Sequence, residues 1–303
     1  MQKITITLPD GSTKECNKGI TGLEIAESIG KRLAGDALAI KVNGTLKDVS
    51  LPINEHASIH IVTWKDKEGL EVFRHSTAHL LAQAVLRLFP DAKPTIGPVV
   101  EEGFYYDFDS EHHFTPEDLE KIEKTMAEIV NADYKVERLE LSEGEAKKKF
   151  RGNPHKMEII GESKGGGLSA YKQGEFIDLC RGPHVPRTGM LRAVKLTKLA
   201  GAYWRGDSKN RQLQRIYGIS FPEEKMLKQH LSLIEEAKKR DHRIIGQKLG
   251  LFSFDETSPG SPFFHPKGAI IYNELLSFIR EEYRKRGYSE VISPLVYDKS
   301  MWE

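Results

Sequence analysis

The spacing of apolar residues distinguishes strand-like from helix-like segments along the chain. The first group of such segments, at the N-terminus, predicts a compact module. Apolar and polar residues alternate over Lys3 to Leu8, which is typical of a half-buried strand. Thr21 and Glu24 have the spacing of a capping box, which predicts the start of a helix. Further strand patterns flank Asn43-Gly44, a dipeptide typical of tight hairpins. This order of strands, a helix and more strands predicts a β-grasp module over residues 1–63.

A mixed pattern of helices and strands predicts a second, α+β domain over residues 64–222. Leu70 to Phe89 has the period of a helix, and Thr115 predicts the cap of another. From Lys156 to Phe221 short strand patterns alternate with Gly-rich turns, and Gly165-Gly166-Gly167 is typical of a hairpin tip.

The last part of the chain is dominated by charged helical patterns. A charged run predicts a long helix over residues 223–248, and Pro266 to Arg286 has the pattern of an amphipathic helix. A strand pattern follows from Tyr288 to Ser293. One helix and one strand are too little for a separate core, so residues 249–303 are expected to be the incomplete start of a further domain.

The composition is that of an ordinary soluble globular protein. Of the 303 residues, 39% are hydrophobic and 29% are charged. No apolar run has membrane-spanning length and no secretory signal is visible. The two cysteines, Cys16 and Cys180, fit a reducing compartment, so a cytoplasmic location is expected. The 45 Lys and Arg residues nearly balance the 44 Asp and Glu residues, so any nucleic acid must be bound by local basic patches.

Clusters of basic residues are the candidates for such patches. The cluster from Arg205 to Arg215 is interleaved with the aromatic residues Tyr203, Trp204 and Tyr217. Basic residues beside aromatic rings that can stack on bases suit a single-stranded RNA end. The alternative interpretation is ordinary surface charge beside a core aromatic pair. The basic residues are Lys147, Lys148, Lys149, Arg151, Lys195, Lys198, Arg205, Lys209, Arg211 and Arg215.

Two short motifs far apart in the chain carry the candidate chemistry. His75 and His79 are four residues apart on a predicted helix and therefore share one face. Strand alternation puts Asp178 and Cys180 on one face of a predicted strand, and a turn then delivers His184. If folding brings the motifs together, three imidazoles, a thiol and a carboxylate converge on one cleft.

Three chemistries could use this set, and the residues alone do not choose among them. A zinc hydrolase would bind the metal through His75, His79, Cys180 and His184. A thiol hydrolase would use Cys180 as nucleophile with a histidine as base. A metal-free hydrolase would use a histidine to orient or deprotonate water and a cation to stabilise the oxyanion.

Taken together, these motifs make the chain resemble the N-terminal part of the bacterial threonyl-tRNA synthetases. The resemblance covers essentially all 303 residues and rests on specific segments. The matching segments are Leu8-Pro9-Asp10-Gly11-Ser12 of a TGS-type β-grasp module, His75-Ser76-Thr77-Ala78-His79-Leu80-Leu81, Asp178-Leu179-Cys180-Arg181-Gly182-Pro183-His184, Gly201-Ala202-Tyr203-Trp204-Arg205-Gly206-Asp207, Gln214-Arg215-Ile216-Tyr217-Gly218, Lys239-Arg240-Asp241-His242-Arg243, and Phe264-His265 through Pro294 with Trp302-Glu303.

The resemblance implies an α+β chain in four parts. They are a TGS β-grasp domain (1–63), an editing or aminoacyl-tRNA deacylase domain (64–222), the linker helix (223–248) and the incomplete start of a class II catalytic core with motif 1 (249–303). The ATP, Mg and core zinc sites of the full-length family are not expected in this chain. The chain is therefore expected to keep only the editing hydrolase activity of a threonine-tRNA ligase.

The implied reaction is hydrolysis of serine wrongly attached to threonine tRNA. Serine lacks one methyl group of threonine, and one such contact discriminates by only about 1–3 kcal/mol, so a second, destructive pocket supplies the missing fidelity. The implied partner is the acceptor end of tRNA(Thr) carrying serine, and no interaction with a membrane is expected. A homodimer is expected for the full-length family, and the oligomeric state of this chain is left open.

The resemblance also points to six residues of the editing pocket, and a mechanistic hypothesis assigns a role to each. His75 is expected to be the base or water-orienting group, Lys156 to stabilise the carbonyl oxygen, and Asp178 to hold the substrate amino group. Water attack is favoured over thiolate attack, because the proline turn before His184 need not aim it at the thiol. The residues expected to shape the pocket are His79, Cys180 and His184.

No cofactor is expected to be required for editing, although zinc remains possible on His75, His79, Cys180 and His184. Two alternatives stay open. The alternatives to the editing deacylase are a non-catalytic tRNA-binding module and a zinc-dependent esterase of a small ester.

Overall fold

The computed structural model of the protein confirms the α+β class. The predicted hairpin tip at Gly165-Gly166 and the terminal Trp302-Glu303 of the motif-1 match lie outside the residues that it describes. In the described part of the chain, none of the helices combines the length and the apolar composition that a bilayer span requires. The described residues are 2–163, 167–295 and 298–301.

The chain forms two compact units, Met1–Gln229 and His230–Glu303. The first unit begins with strands and helices at the bounds β1 (Lys3–Thr7), β2 (Thr13–Asn17), β3 (Ile20–Thr21), α1 (Gly22–Ile29), α2 (Lys31–Asp36), β4 (Ala37–Val42), β5 (Thr45–Asp48), β6 (Pro52–Ile53) and β7 (Ala57–Thr63).

These elements build the β-grasp sheet that the sequence pattern predicts. The strand order is β2-β1-β7-β4-β5, with β1 antiparallel to β2 and parallel to β7. The capping box is present: the side chain of Thr21 accepts the backbone N–H of Glu24, and the Glu24 carboxylate accepts the backbone N–H of Thr21. Apolar residues such as Ile6, Ile25 and Ile59 fill the core between sheet and helix.

The same unit continues with a second set of elements, built around a long helix. They are α3 (Lys67–Leu88), β8 (Lys93–Pro94), β9 (Val99–Val100), β10 (Gly103–Asp109), α4 (Pro116–Ala132), β11 (Val136–Leu141), α5 (Glu143–Phe150), α6 (Pro154–Glu162), β12 (Leu168–Gln173), β13 (Phe176–Leu179), β14 (Ala193–Tyr203) and β15 (Gln212–Phe221). One antiparallel sheet has the order β14-β15-β10-β8, with β9 also on β10, and the other has the order β11-β12-β13.

The helix α3 is the centre of this part of the fold. Every residue from Ser76 to Val85 is buried, which requires packing on all sides of the helix. The helix packs against β10, α4 and β15, and against β4 of the β-grasp sheet. Because both its faces are held, the histidines that it carries have fixed positions.

The structure adds a helix where the sequence pattern predicts strands and turns. The helix α6 contains Lys156, so the prediction for this stretch is wrong. The side-chain oxygen of Asn153 accepts the backbone N–H groups of His155 and Lys156, and Pro154 occupies the first turn. The helix is short and its apolar residues show little periodicity, so this cap is its main signal in the sequence.

The linker region 223–248 is helical but is not one helix. It consists of α7 (Glu224–Lys239) and α8 (His242–Lys248). The interruption falls at Asp241, whose side chain accepts the backbone N–H of Arg243 and thereby caps α8. The prediction of one continuous helix is therefore wrong at this point, although the helical extent is confirmed.

The second unit also contains a short hairpin and the predicted amphipathic helix. The hairpin is β16 (Phe252–Ser253) with β17 (Phe263–Phe264), and the helix is α9 (Pro266–Lys285). The predicted strand from Tyr288 to Ser293 is wrong, because this segment has no strand conformation. Within the described residues it has no neighbouring strand to share backbone hydrogen bonds, which a strand needs.

Candidate active site

The two predicted motifs meet in one partly buried cluster. One nitrogen or sulfur atom from each of His75, His79, Cys180 and His184 lies within 4.8 Å of the others. The helix α3 supplies the first two side chains, whereas Cys180 directly follows strand β13. The motifs therefore converge as the sequence analysis requires.

His75 has one ring nitrogen fixed by the backbone and the other directed at the thiol. Its Nδ1 lies 3.3 Å from the carbonyl oxygen of Gly97 and its Nε2 lies 3.0 Å from the sulfur of Cys180. A carbonyl can only accept, so Nδ1 carries the hydrogen and Nε2 keeps a free lone pair. Burial lowers the pKa of His75 below its usual 6.5, which favours the neutral base.

A cleft of about 770 Å³ opens beside this histidine. His75 lines it together with Arg74 from α3, and Gly182 and Pro183 also belong to its lining. Among the residues that the structure describes, the lining includes His75 but neither His79 nor His184, which are buried behind it. Of the three histidines, His75 is therefore the one that a molecule in the cleft would contact.

His184 has a similar tautomer, fixed by a serine of α3. The Ser76 hydroxyl donates to the carbonyl of Val72 at 2.8 Å, so its oxygen accepts from Nδ1 of His184 at 3.1 Å. The unprotonated Nε2 then faces the sulfur of Cys180 at 3.4 Å. Burial lowers the pKa of His184 well below its usual value, so this ring is also neutral.

The thiol of Cys180 is held in its protonated form. Burial raises its pKa to about 11, although the backbone N–H of Gly182 donates to the sulfur at 3.3 Å. The expectation that the proline turn need not aim His184 at Cys180 is wrong, because the turn places the two side chains in contact. The case against a thiolate nucleophile therefore rests on the raised pKa of the thiol.

A buried ion pair forms the second half of the site. Lys156 Nζ lies 2.6 Å from Oδ1 of Asp178, and both side chains are almost completely buried. The hydroxyl of Tyr106 donates to Oδ2 of Asp178 at 2.5 Å. His79 Nε2 lies 3.7 Å from the same oxygen, and burial lowers the pKa of His79 well below its usual value. The structure thus brings all six predicted site residues together.

Residues that the sequence analysis missed complete the surroundings of the site. Tyr106 contacts Asp178 from strand β10, and burial raises its pKa well above the usual value, so it remains a hydrogen-bond donor. Ser76 lies inside the first motif, where its position between the two histidines was an available signal. Asp48 comes from the β-grasp sheet and accepts the backbone N–H of His184 at 2.9 Å. No local pattern around Asp48 indicates this distant contact.

The three histidines and the cysteine form a possible metal-binding group. Their donor atoms are close together, and imidazole and thiolate ligands suit zinc. The Nδ1 contacts of His75 and His184 leave each Nε2 free, as a ligand orientation would require. The donor set therefore fits a zinc ion. Held by all four groups the ion would form a closed, structural site, whereas with one group free it would supply an activated water.

The aromatic and basic cluster is only partly available for stacking. Trp204 is buried and its Nε1 donates to Glu158, so its side chain forms part of the fold. Lys198 lies over the ring of Tyr217, with its Nζ 4.5 Å from the ring centroid. The tyrosine is half-buried and leaves a basic, partly aromatic surface on strands β14 and β15.

Two domain matches agree with this arrangement. Residues 4–63 match the TGS domain, and residues 168–217 match the family described as the threonyl and alanyl tRNA synthetase second additional domain. Asp178, Cys180 and His184 lie inside the second match, whereas the histidines of α3 precede it. The description of the second family indicates the class of the aminoacyl-tRNA synthetases.

Comparison along the whole chain identifies the family. The chain is 54% identical to the threonine–tRNA ligase of Desulforamulus reducens over 99% of its own length and 48% of the relative. It is 56% identical to that of Coxiella burnetii, over 99% of its length and 46% of the relative. The chain belongs to the threonyl-tRNA synthetase family, and it spans about half the length of the curated relatives it matches.

Proposed function

We propose that this chain hydrolyses the ester bond of seryl-tRNA(Thr) by attack of an activated water. The observation that carries the proposal is the convergence of three neutral imidazoles, of which His75 borders an open cleft, in a site that also contains the buried cation Lys156. Membership in the threonyl-tRNA synthetase family and the match of residues 168–217 support the substrate class.

In this mechanism His75 orients and deprotonates the water. Its Nε2 carries a lone pair, its Nδ1 hydrogen is anchored on Gly97, and it borders the cleft. The Nε2 atom also receives the thiol hydrogen of Cys180, so the water would take the place of that donor when substrate binds. A positioned base of this kind contributes about 10²- to 10⁴-fold to a rate.

In the proposal, Lys156 and Asp178 bind different parts of the aminoacyl group, the ester carbonyl and the amino group. The ammonium of Lys156 would stabilise negative charge on the carbonyl oxygen in the transition state. A carboxylate has about four lone-pair sites, so Asp178 can receive the substrate amino group in addition to Lys156 and Tyr106. The pocket-shaping residues are His79, Cys180 and His184.

The partner in this proposal is the acceptor end of tRNA(Thr), in the cytoplasm. The basic surface around Lys198 and Tyr217 supports contact with a single-stranded RNA end. The same proposal divides the chain into four parts, 1–63, 64–222, 223–248 and 249–303. It also includes dimer formation by the longer relatives.

The cleft, the neutral bases and the buried cation favour catalysis over simple RNA binding. The test is multiple-turnover deacylation: the purified chain should release serine from seryl-tRNA(Thr) in excess over enzyme and should release threonine from threonyl-tRNA(Thr) much more slowly. Binding of tRNA without release of serine at any enzyme concentration would leave only the RNA-binding module.

A zinc-dependent esterase is the second candidate, and the His/Cys group favours it. It predicts hydrolysis of a small serine ester in the absence of tRNA, with activity that follows the zinc content. Hydrolysis that requires tRNA and ignores zinc would exclude it.

A further inference from the structure

We propose that Asp48 of the β-grasp module is a positioning residue for the hydrolytic site. The proposal rests on the proposed deacylase function and assigns the β-grasp module a part in it. The carboxylate is the last residue of strand β5 and is only 5% exposed. Its contacts lie in the editing half of the same compact unit.

Each oxygen of this carboxylate holds a different part of the site wall. Oδ1 accepts the backbone N–H of His184 at 2.9 Å, across 136 positions of sequence. Oδ2 accepts the hydroxyl of Tyr171 at 2.7 Å. The ring centroids of Tyr171 and His184 lie 4.3 Å apart, so both contacts act on the same residue, His184. Asp48 thus fixes both the backbone of His184 and the ring that packs against it.

The loop before His184 depends on the same network. Arg138 donates to the Tyr171 hydroxyl at 2.9 Å and to the carbonyl of Arg181 at 2.7 Å. Gly182 has a positive φ of 69°, and a Cβ built on it would lie 1.8 Å from the Tyr171 hydroxyl. The loop therefore packs directly on the tyrosine that Asp48 holds, and its backbone conformation is one that favours glycine.

The opposite side of the loop is held by helix α3. The Ser76 oxygen accepts the backbone N–H of Val185 at 3.0 Å and contacts Nδ1 of His184. The His184 segment is thus clamped between a serine of the editing half and a carboxylate of the β-grasp half. Removal of Asp48 would leave two buried donors unpaired and one side of the clamp open.

The experiment uses the 303-residue chain with substitutions at one position. Asp48→Ala removes both acceptors, whereas Asp48→Asn keeps Oδ1 for His184 and offers Tyr171 a donor in place of an acceptor. Ile59→Val is the matched control, because it loosens the β-grasp core without touching Asp48. Steady-state kcat and KM for seryl-tRNA(Thr) are measured for all four proteins, together with hydrogen exchange of the His184 backbone amide.

We expect Asp48→Ala to lower kcat by about 10- to 100-fold, with KM changed by less than about threefold. Asp48→Asn should recover most of that loss, and Ile59→Val should stay close to the unsubstituted chain. The His184 amide should exchange at least about tenfold faster in Asp48→Ala only.

Two results would overturn the proposal. One is an Asp48→Ala chain with unchanged kcat and unchanged exchange at His184. The other is an equal loss in Ile59→Val, which would mean general loosening of the module. If the unsubstituted chain releases no serine, the proposed function fails, and the exchange measurement alone decides whether Asp48 holds the His184 segment.

Discussion

The Nε2 atom of His75 lies 3.0 Å from the sulfur of Cys180, although 105 positions separate the two residues. Because burial raises the pKa of the thiol to about 11, the thiol is the donor and the imidazole the acceptor in this contact. The pair thus presents a neutral base and a poor nucleophile. This relationship favours water as the attacking group.

Replacement of Cys180 directly tests whether water or the thiol is the attacking group. Cys180→Ala should lower single-turnover deacylation by less than about tenfold, since only pocket shape and one donor to His75 are lost, whereas loss of a true nucleophile costs about 10⁶-fold. Cys16→Ala is the control, because it removes the other cysteine from the β-grasp core. A covalent seryl adduct on Cys180 detected by mass spectrometry would overturn water attack.

The buried pair of Lys156 and Asp178 predicts a large effect on stability. Lys156→Met should lower the free energy of unfolding by about 3–5 kcal/mol, because the carboxylate would remain buried without its cation. Lys147→Met removes the exposed pair with Glu143 and should cost less than about 1 kcal/mol. Urea denaturation measures both. Equal, small costs for the two variants would show that the buried pair is not held as described.

The lowered pKa values of His75, His79 and His184 predict a dependence of stability on pH. The unfolded chain takes up protons near pH 6.5, whereas the folded chain keeps His75, His79 and His184 neutral to lower pH. The unfolded state therefore binds more protons below that pH. The free energy of unfolding should fall on acidification by up to about 1.4 kcal/mol per pH unit for each histidine.

Denaturation between about pH 7.5 and about pH 5 measures this slope. His79→Asn should make the slope shallower, since one of the three titrating rings is removed. The exposed His113 is the control, and His113→Asn should leave the slope unchanged. A stability that stays level or rises on acidification would contradict burial of neutral imidazoles.

Chelation distinguishes the water mechanism from zinc chemistry at the same residues. Treatment with a strong chelator should change the single-turnover rate on seryl-tRNA(Thr) by less than about twofold, because in the proposed mechanism His75 activates water without a metal. Zinc content is measured on the same sample. Loss of activity that added zinc restores would contradict the metal-free mechanism and favour the zinc esterase.

The sequence was sufficient to predict the components of the site but not their contacts. Helical spacing placed His75 and His79 on one face, and strand alternation placed Asp178 and Cys180 together, because both periods are local properties of the backbone. The tertiary partners depend on packing between distant segments. No local pattern shows that Tyr106 donates to Asp178 or that Asp48 holds the backbone of His184.

The errors in the predicted elements have the same physical origin. The helix that carries Lys156 is short, so its cap at Asn153 outweighs its weak periodicity. The segment from Tyr288 to Ser293 has a strand-like pattern, but a strand forms only where a neighbour accepts its hydrogen bonds. The turn before His184 gave no reason to expect its ring to be aimed at Cys180, but contacts of His184 with Ser76 and Asp48 accompany a position of the ring beside the thiol.

The most direct test is a side-by-side measurement of single-turnover serine release from seryl-tRNA(Thr) by the unsubstituted chain, His75→Ala and His113→Ala. The account predicts rapid release by the unsubstituted chain and by His113→Ala, and a rate at least about a hundredfold lower for His75→Ala. Equal rates for all three proteins would contradict His75 as the group that activates the water.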